Sequence, residues 1–389
     1  MRVAYVCADP GVPVFGTKGA SVHVQAIAGA LLRRGAEVTL LATRTGGMVP
    51  AALAHAEVVA LPALPKGDDP ARERAAQAAN AGLAAALRAL GPVDLVVERY
   101  SLWSHAALEH ARAAGVPAVL EVNAPLVDEQ GRHRALHDRP AAERVARRAF
   151  AAATAIVAVS EPVADWVAAR CADGRRRVHV VGNGVDPDRF PPVERPPGRC
   201  TVGFVGTLKP WHGVEVLVDA FDRLHARRPG VRLLVVGDGP QSPWLRADLA
   251  RRPCAPAVEF TGSVDPAAVP AALARMDVAV APYPPLEPFY FSPLKVVEAM
   301  ASGLPVVCSR IGALPDLVRD GVTGVLCRPG DPFDLAAALE LLAADPPLRR
   351  RLGEEGRARV LASHTWDQVA GEMLRLAAEG APAGAEAAA

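Results

Sequence analysis

FYFSPLKVVEAMASGLPVV, residues 289–307, reads as a proline-interrupted loop, then a helix, then a buried strand. That order is one repeat of a parallel α/β sheet. The loop carries Ser292, Leu294 and Lys295, and Glu298 is expected at the helix start. A helix N-terminus offers unpaired N–H groups and a partial positive charge, which suits phosphate. A lysine and a carboxylate placed there can hold two ends of a nucleotide, Lys295 a phosphate and Glu298 a ribose diol. The segment therefore points to an enzyme with a nucleotide-linked substrate.

Working outward, the same alternation fills the chain. Apolar runs stand at 2–8, 36–43, 56–62, 93–99, 116–122, 155–160 and 178–184, then at 201–206, 231–237, 257–262, 278–283, 304–309 and 324–327. Continuous Val/Leu/Ile runs separated by helical patterns are the mark of parallel strands covered on both faces. Val214, Leu217, Val218, Phe221 and Leu224 recur at helical spacing, the one-sided stripe of a helix lying on a sheet. These are too many strands for one such domain. PDRFPPVERPPGRC (187–200), dense in proline and arginine, marks a break. Two doubly wound domains follow, 1–190 and 195–364, with a last helix from Thr365 to about residue 378, capped by Ser363 or Thr365. EGAPAGAEAAA (379–389) has no bulky apolar group and is expected to fray. Ligands of such folds bind at the carboxyl ends of the strands, so two facing domains would form a cleft suited to a two-substrate transfer.

Composition narrows the classes. Of 389 residues 51% are apolar, enough for two large cores, and 43 basic against 42 acidic residues leave a net charge of +1. No global field draws the chain to nucleic acid or to a membrane surface. No apolar run reaches the roughly 18 residues of a membrane span, and MRVAYVCA opens directly as a strand rather than a leader. Peripheral membrane contact stays open: Arg144, Arg147 and Arg148, and Arg170 with Arg175–Arg177, form modest clusters that read first as solvated helix faces. Cys7, Cys171, Cys200, Cys254, Cys308 and Cys327 are scattered without a CxxC pair, as expected for reduced core thiols in a cytoplasmic protein. Only Lys18, Lys66, Lys209 and Lys295 are lysine among the basic residues, and three of them fall in Gly- or Pro-marked loops beside strands. A compact ammonium suits a phosphate pocket too tight for a guanidinium.

Four loops carry the chemistry. GVPVFGTKGASVHVQ (11–25) sets Lys18 between Gly16 and Gly19 after the first strand, where the three are expected to contact phosphate or substrate; it is neither GxGxxG nor a Walker A loop. His23, just inside the following helix, suits a packed or a functional role equally. GTLKPWHGVEVL (206–217) brings Lys209 and His212 toward an anion, with Trp211 as packing and Gly213 opening a helix. VVGDGP (235–240) turns at Gly237, with Asp238 bonding its own turn. The opening segment is the fourth, extended by GLPVVCSRIGALPDLV (303–318), where Asp316 begins or caps a helix.

PVFGTKGASVHV, NGVDPDRF, FVGTLKPWHG, VVGDGP and FSPLKVVEAMASGLPVVCS, in this order, resemble the retaining GT-B glycosyltransferases of the glycosyltransferase family 4 type, over nearly the whole chain. The resemblance implies two Rossmann-like domains with an interdomain cleft. It also implies a nucleotide-diphosphate sugar donor, UDP by family frequency, a hydroxyl acceptor of unknown identity, and no cofactor or bound metal. The family's basic pair for the diphosphate falls on Thr207 and His212, so Lys209 and Lys295 look like replacement charges. Of its two glutamates, the second matches Glu298. The first falls on Tyr290, and Glu287 serves instead if the loop is longer; otherwise backbone around Phe291 and Ser292 contacts the sugar. Asn123 stands where a histidine often ends a first-domain strand, flanked by Glu121 and Glu129, and ERY (98–100) is expected to face the acceptor. DPD (186–188) resembles a metal-binding DxD but reads as a turn. The alternatives are a UDP-N-acetylglucosamine 2-epimerase-like isomerase on the same plan, and a non-catalytic two-lobed sugar-binding protein.

Overall fold

A computed structural model describes residues 1–67, 70–193 and 198–380. Part of the Pro/Arg-dense segment (194–197) and nearly all of the expected frayed tail (381–389) lie outside the described residues. The chain divides into two compact units, Met1–Asn183 with Trp366–Ala389, and Gly184–Thr365. The division falls ahead of the Pro-rich segment. Val185 and Phe190, each 2% exposed or less, pack into the core of the second unit and carry that stretch of chain with them.

The first unit holds a seven-stranded parallel sheet in the order β3-β2-β1-β4-β5-β6-β7. Its strands are β1 (Arg2–Cys7), β2 (Glu37–Ala42), β3 (Glu57–Ala60), β4 (Leu95–Arg99), β5 (Ala118–Val122), β6 (Ala155–Ala158) and β7 (Val178–Val180). The second unit repeats the plan with six strands, β10-β9-β8-β11-β12-β13. These are β8 (Thr201–Val205), β9 (Arg232–Val236), β10 (Val258–Gly262), β11 (Val278–Ala281), β12 (Val306–Ser309) and β13 (Gly324–Cys327). Each apolar run of the sequence became one strand. The central ones are buried at every position because helices cover both faces. The chain order reverses between β1 and β4 in one sheet and between β8 and β11 in the other. Open α/β sheets bind ligands outside the strand ends at such a reversal.

In the second unit the helix Val214–Arg227 buries Val214, Leu217, Val218, Phe221 and Leu224, the stripe expected from the sequence, against Phe204, Leu233 and Val235 of the sheet. Truncating a fully buried Phe221 would cost about 3–5 kcal/mol, so this helix is firmly seated. Its start is forced by backbone. Gly213 has φ +63°, and a Cβ there would stand 1.8 Å from the Pro282 carbonyl oxygen, so the β8 exit lies directly on the β11 exit. Nearby, Gly237 has φ +135° and would meet the Gly206 carbonyl at 2.0 Å. Leu208 N donates to Asp238 O (3.0 Å), and Gln241 N to Leu208 O (3.1 Å), zipping the β8 and β9 exits together. Gly213→Ala is expected to lower Tm in scanning calorimetry by roughly 3 °C or more. Gly230→Ala, where an added methyl meets nothing within 4 Å, should leave Tm nearly unchanged.

Candidate functional site

The β8/β11 reversal gathers most of the residues singled out by the sequence. Thr207, Lys209 and His212 follow β8, and Gly237 follows β9. Glu287, Tyr290, Phe291 and Ser292 lie on the loop after β11, and Leu294, Lys295 and Glu298 on the helix Leu294–Ala301. Gly16, Lys18, Gly19 and Asn123 belong to the other unit. Two placements differ from the sequence reading. Lys295 is the second residue of the helix, not part of the loop, and Glu298 stands in the second turn, because the helix begins directly after Pro293.

Lys295 is the centre of the site. Its stem reaches the surface, but its Nζ is buried and has no hydrogen-bond partner among the described residues. The ammonium lies 4.4 Å from the Phe204 ring centroid and 5.4 Å from that of Tyr283. A Cβ at Gly206 would stand 2.9 Å from it, so it rests against the backbone at the β8 exit. Ring faces give a cation some relief, though less than water or a carboxylate would. Burial therefore lowers the ammonium to about 7, with Glu298 pulling the other way. Burial also pushes the Glu298 carboxyl up to about 7, against the charges of Arg189 and Lys295. Arg189 is itself held by donating to the Pro266 carbonyl (2.7 Å).

His212 stands close enough to Lys295 to feel its charge. Its Nδ1 lies 2.5 Å from the Thr207 carbonyl oxygen, which only accepts, so that nitrogen carries a proton. Burial first, and the Lys295 charge second, lower the imidazole to about 4. The positive charge at the β8 exit comes from Lys295 and from Lys209, whose Nζ sits 4.6 Å above the Trp211 ring. The N-cap of the helix Leu294–Ala301 is Pro293, whose side chain makes no capping hydrogen bond, and the N-terminal end adds a positive pole. The loop leading to it is stiffened by rings: Tyr283 against Phe289 (4.9 Å), Phe289 against Phe291 (5.3 Å) and Phe291 against Tyr290 (4.5 Å). Glu287 is exposed on the stretch between Tyr283 and Phe289. The site thus offers ammonium groups, backbone donors and one carboxyl, the complement of a diphosphate with a diol beside it.

Asp238 does bond its own turn, accepting from Gly239 N at 2.8 Å, and Asp186 of the DPD segment accepts from Asp188 N at 3.1 Å. Among the described residues no group of three or more His, Cys, Asp or Glu gathers as metal ligands would.

In the first unit, Lys18 and Gly19 are exposed, Lys18 at the N-cap of the helix Gly19–Arg33, and Gln25 of that helix ties down the loop by donating to the Val14 and Gly16 carbonyls (2.8 and 2.9 Å). Asn123 is half-buried just past β5. ERY needs correction: Glu98 and Tyr100 are 1% and 3% exposed and face the interior. Burial pushes the Glu98 carboxyl up to about 7 despite the nearby Ser104 hydroxyl, and Tyr100 packs on Phe150 and Trp166. Several of the clustered arginines are paired locally, Arg148 with Glu109 (2.8 Å), Arg170 with Glu143 (2.9 Å) and Arg175 with Asp165 (2.6 Å). Sequence reasoning missed the rings of Phe204 and Tyr283 around Lys295. It also left undecided a buried pair in the first unit, His23 with Glu121 (2.9 Å), the latter also accepting from the Tyr5 hydroxyl (2.7 Å). No helix of the described residues is long and apolar enough to cross a membrane.

Comparisons with known proteins agree with this geometry. Residues 17–189 match the family profile described as Glycosyltransferase Family 4, and residues 199–345 that of Glycosyl transferases group 1. A glycogen synthase of Mycobacterium tuberculosis is 31% identical over 71% of this chain and 66% of its own length. A D-inositol 3-phosphate glycosyltransferase of Stackebrandtia nassauensis is 30% identical over 92% of this chain and 85% of its own. A GDP-mannose-dependent alpha-mannosyltransferase of Mycolicibacterium smegmatis is 40% identical over 51% of this chain, about half of its own length. Among solved structures, Anabaena HepE in complex with UDP superposes with TM-score 0.73 over 97% of this chain and all of that one; at 20% identity the likeness is one of fold.

The buried ammonium has a stability cost that can be measured. With a folded pKa near 7 and an unfolded one of 10.5, the folded chain binds fewer protons between those values. The penalty is therefore full below pH 7 and vanishes as pH rises toward 10.5. Lys295→Met is expected to raise Tm at pH 7 by roughly 3 °C or more, with the gain shrinking steadily up to pH 10, as followed by calorimetry.

Proposed function

The chain belongs to the glycosyltransferase family 4 type of GT-B proteins, and from that premise we propose that it moves a sugar from a nucleoside-diphosphate sugar to a hydroxyl acceptor. The observation that carries the proposal is the Lys295 ammonium, buried without a hydrogen-bond partner at the strand ends where the sheet order reverses. An isolated buried cation is costly, and a diphosphate is the partner that would offset that cost.

The roles follow from charge. Lys295, Lys209 and the pole of the helix Leu294–Ala301 receive the diphosphate, and Glu298 accepts from the ribose hydroxyls. Thr207 and Gly237 form the backbone walls of the pocket. Glu287, or backbone of the Tyr290–Ser292 stretch, faces the donor sugar. When the bond from the anomeric carbon to the phosphate oxygen breaks, negative charge grows on the diphosphate, and fixed ammonium groups stabilise it more than they stabilise the ground state. The acceptor oxygen attacks from the same face and its proton passes to the departing phosphate, so the anomeric configuration is retained. The positive charge in this scheme comes from side chains and needs no metal ion. Gly16, Lys18 and Gly19 of the first unit are assigned to phosphate or substrate contact, and Asn123 to the transfer step. UDP is the donor nucleotide favoured by family frequency, and GDP is the competing choice, because the mannosyltransferase relative is GDP-mannose-dependent by name.

Two measurements test this. In a panel of UDP- and GDP-sugars assayed for slow hydrolysis and transfer, Lys295→Ala should lower kcat/KM by about 100-fold or more, and a change under threefold would remove the electrostatic assignment. Donor binding should also take up a proton. A diphosphate beside Lys295 favours its charged form, so the bound pKa rises above the free value near 7. At pH 8, calorimetric titration with UDP or GDP in buffers of different ionisation enthalpy should give an uptake approaching ~1 proton, with affinity weakening as pH rises. No uptake would mean that the lysine is charged before the donor arrives.

A further inference from the structure

The chain passes between its two units twice, from Asn183 to Gly184 and from Thr365 to Trp366. The two passages run side by side: Val185 bridges Thr365 in parallel, and Val185 N donates to His364 O at 2.9 Å. One side chain of the first unit meets the residue at the first-unit end of each passage. That side chain is His23, on the helix Gly19–Arg33.

Its Nε2 donates to Glu121 Oε1 at 2.9 Å, and its Nδ1 pairs with the Asn183 side-chain amide at 2.9 Å. Its ring stands edge-on to the Trp366 indole, with centroids 5.1 Å apart and planes at 85°. His23 and Trp366 are 7% and 4% exposed, so water does not compete for these contacts. Glu121 is fixed in turn. It lies in β5 and accepts from the Tyr5 hydroxyl of β1. Burial pushes its carboxyl up, but His23, Tyr5 and the Arg99 charge outweigh that and hold it below the usual carboxylate value. The order of restraint runs from the sheet to Glu121, from Glu121 to the imidazole, and from the imidazole to both ends of the connection.

We propose that His23 is a positioning residue: a single imidazole ties both chain passages to the sheet of the first unit and fixes where the chain leaves it. Its kinetic consequence rests on the transfer proposed above, but its structural one does not. An ordinary core histidine would be expected to contact a helix and a strand. Here two of the three partners are the residues flanking the unit boundary.

Amide hydrogen exchange on the full chain tests this without substrate. In His23→Ala, exchange at the Val185 amide and across residues 364–367 is expected to speed up by about tenfold or more, while β8 and β11 keep wild-type protection. His23→Gln, which can still donate to Glu121 and pair with Asn183, should recover most of the protection. If His23→Ala does not fold, Asn183→Ala and Trp366→Phe leave the His23–Glu121 pair in place and should show the same local pattern more weakly. In kinetics, affinity for UDP or GDP should stay within about twofold while kcat for transfer falls by about tenfold, because the nucleotide groups lie in the other unit. Wild-type exchange at the passages, or equal loosening throughout the first unit, would overturn the proposal. Should the wild-type chain transfer no sugar from any donor, the transfer reading fails alone, and the exchange pattern still decides the role of His23.

Discussion

An ammonium group is held out of water at the end of a parallel strand, with two aromatic rings and a glycine backbone around it and no hydrogen-bond partner among the described residues. That constraint organises the second unit. A lysine there is a burden on the free protein, since burial drives it toward its neutral form. The surroundings show how the burden is sustained. Gly206 leaves room for the Nζ, Gly213 and Gly237 let three strand exits close on one point, and a ring ladder from Tyr283 to Phe291 follows the β11 exit. The same closeness lowers His212, so the position where the family's lysine is expected carries a neutral ring.

The fold was legible because its signal is local. A parallel strand buried on both faces is written as a short Val/Leu/Ile run, and each such run, from RVAYVC to GVLC, became a strand with ends displaced by only a few residues. The helix stripe from Val214 to Leu224 was equally plain. The division between the units was harder. Proline density drew attention to 187–200, yet Val185 and Phe190 had already committed the chain to the second core. Glu98 and Tyr100 misled for a related reason. They stand at a strand end, where polar residues usually turn to solvent, but here both are buried, Tyr100 against Phe150 and Trp166 of two helices.

The site was legible in its cations and not in its packing. Lys295 and Lys209 stood out because lysine is rare in this chain. Their surroundings come from residues far apart in sequence: Phe204 meets Lys295 only once β8 and the helix Leu294–Ala301 are set side by side. The His23–Glu121–Asn183 network is longer in range still, joining a helix, a strand and a unit boundary. No spacing rule within a sequence brings such groups together. Both networks nonetheless obey one rule, that a buried charge needs a partner. In the first unit the partner is part of the chain, and the result is a fixed point. In the second no described residue supplies it, and that gap is the ground for the donor site proposed above.

The most direct test is a titration of the lysine Nζ resonances by nitrogen-detected NMR on protein carrying labelled lysine, where only four signals need assignment. Lys295 is predicted to titrate near 7 in the free protein and to stay charged well above that when a nucleoside diphosphate is added. A Lys295 signal that titrates with the other lysines, in the ordinary range near 10, with and without nucleotide, would contradict the account.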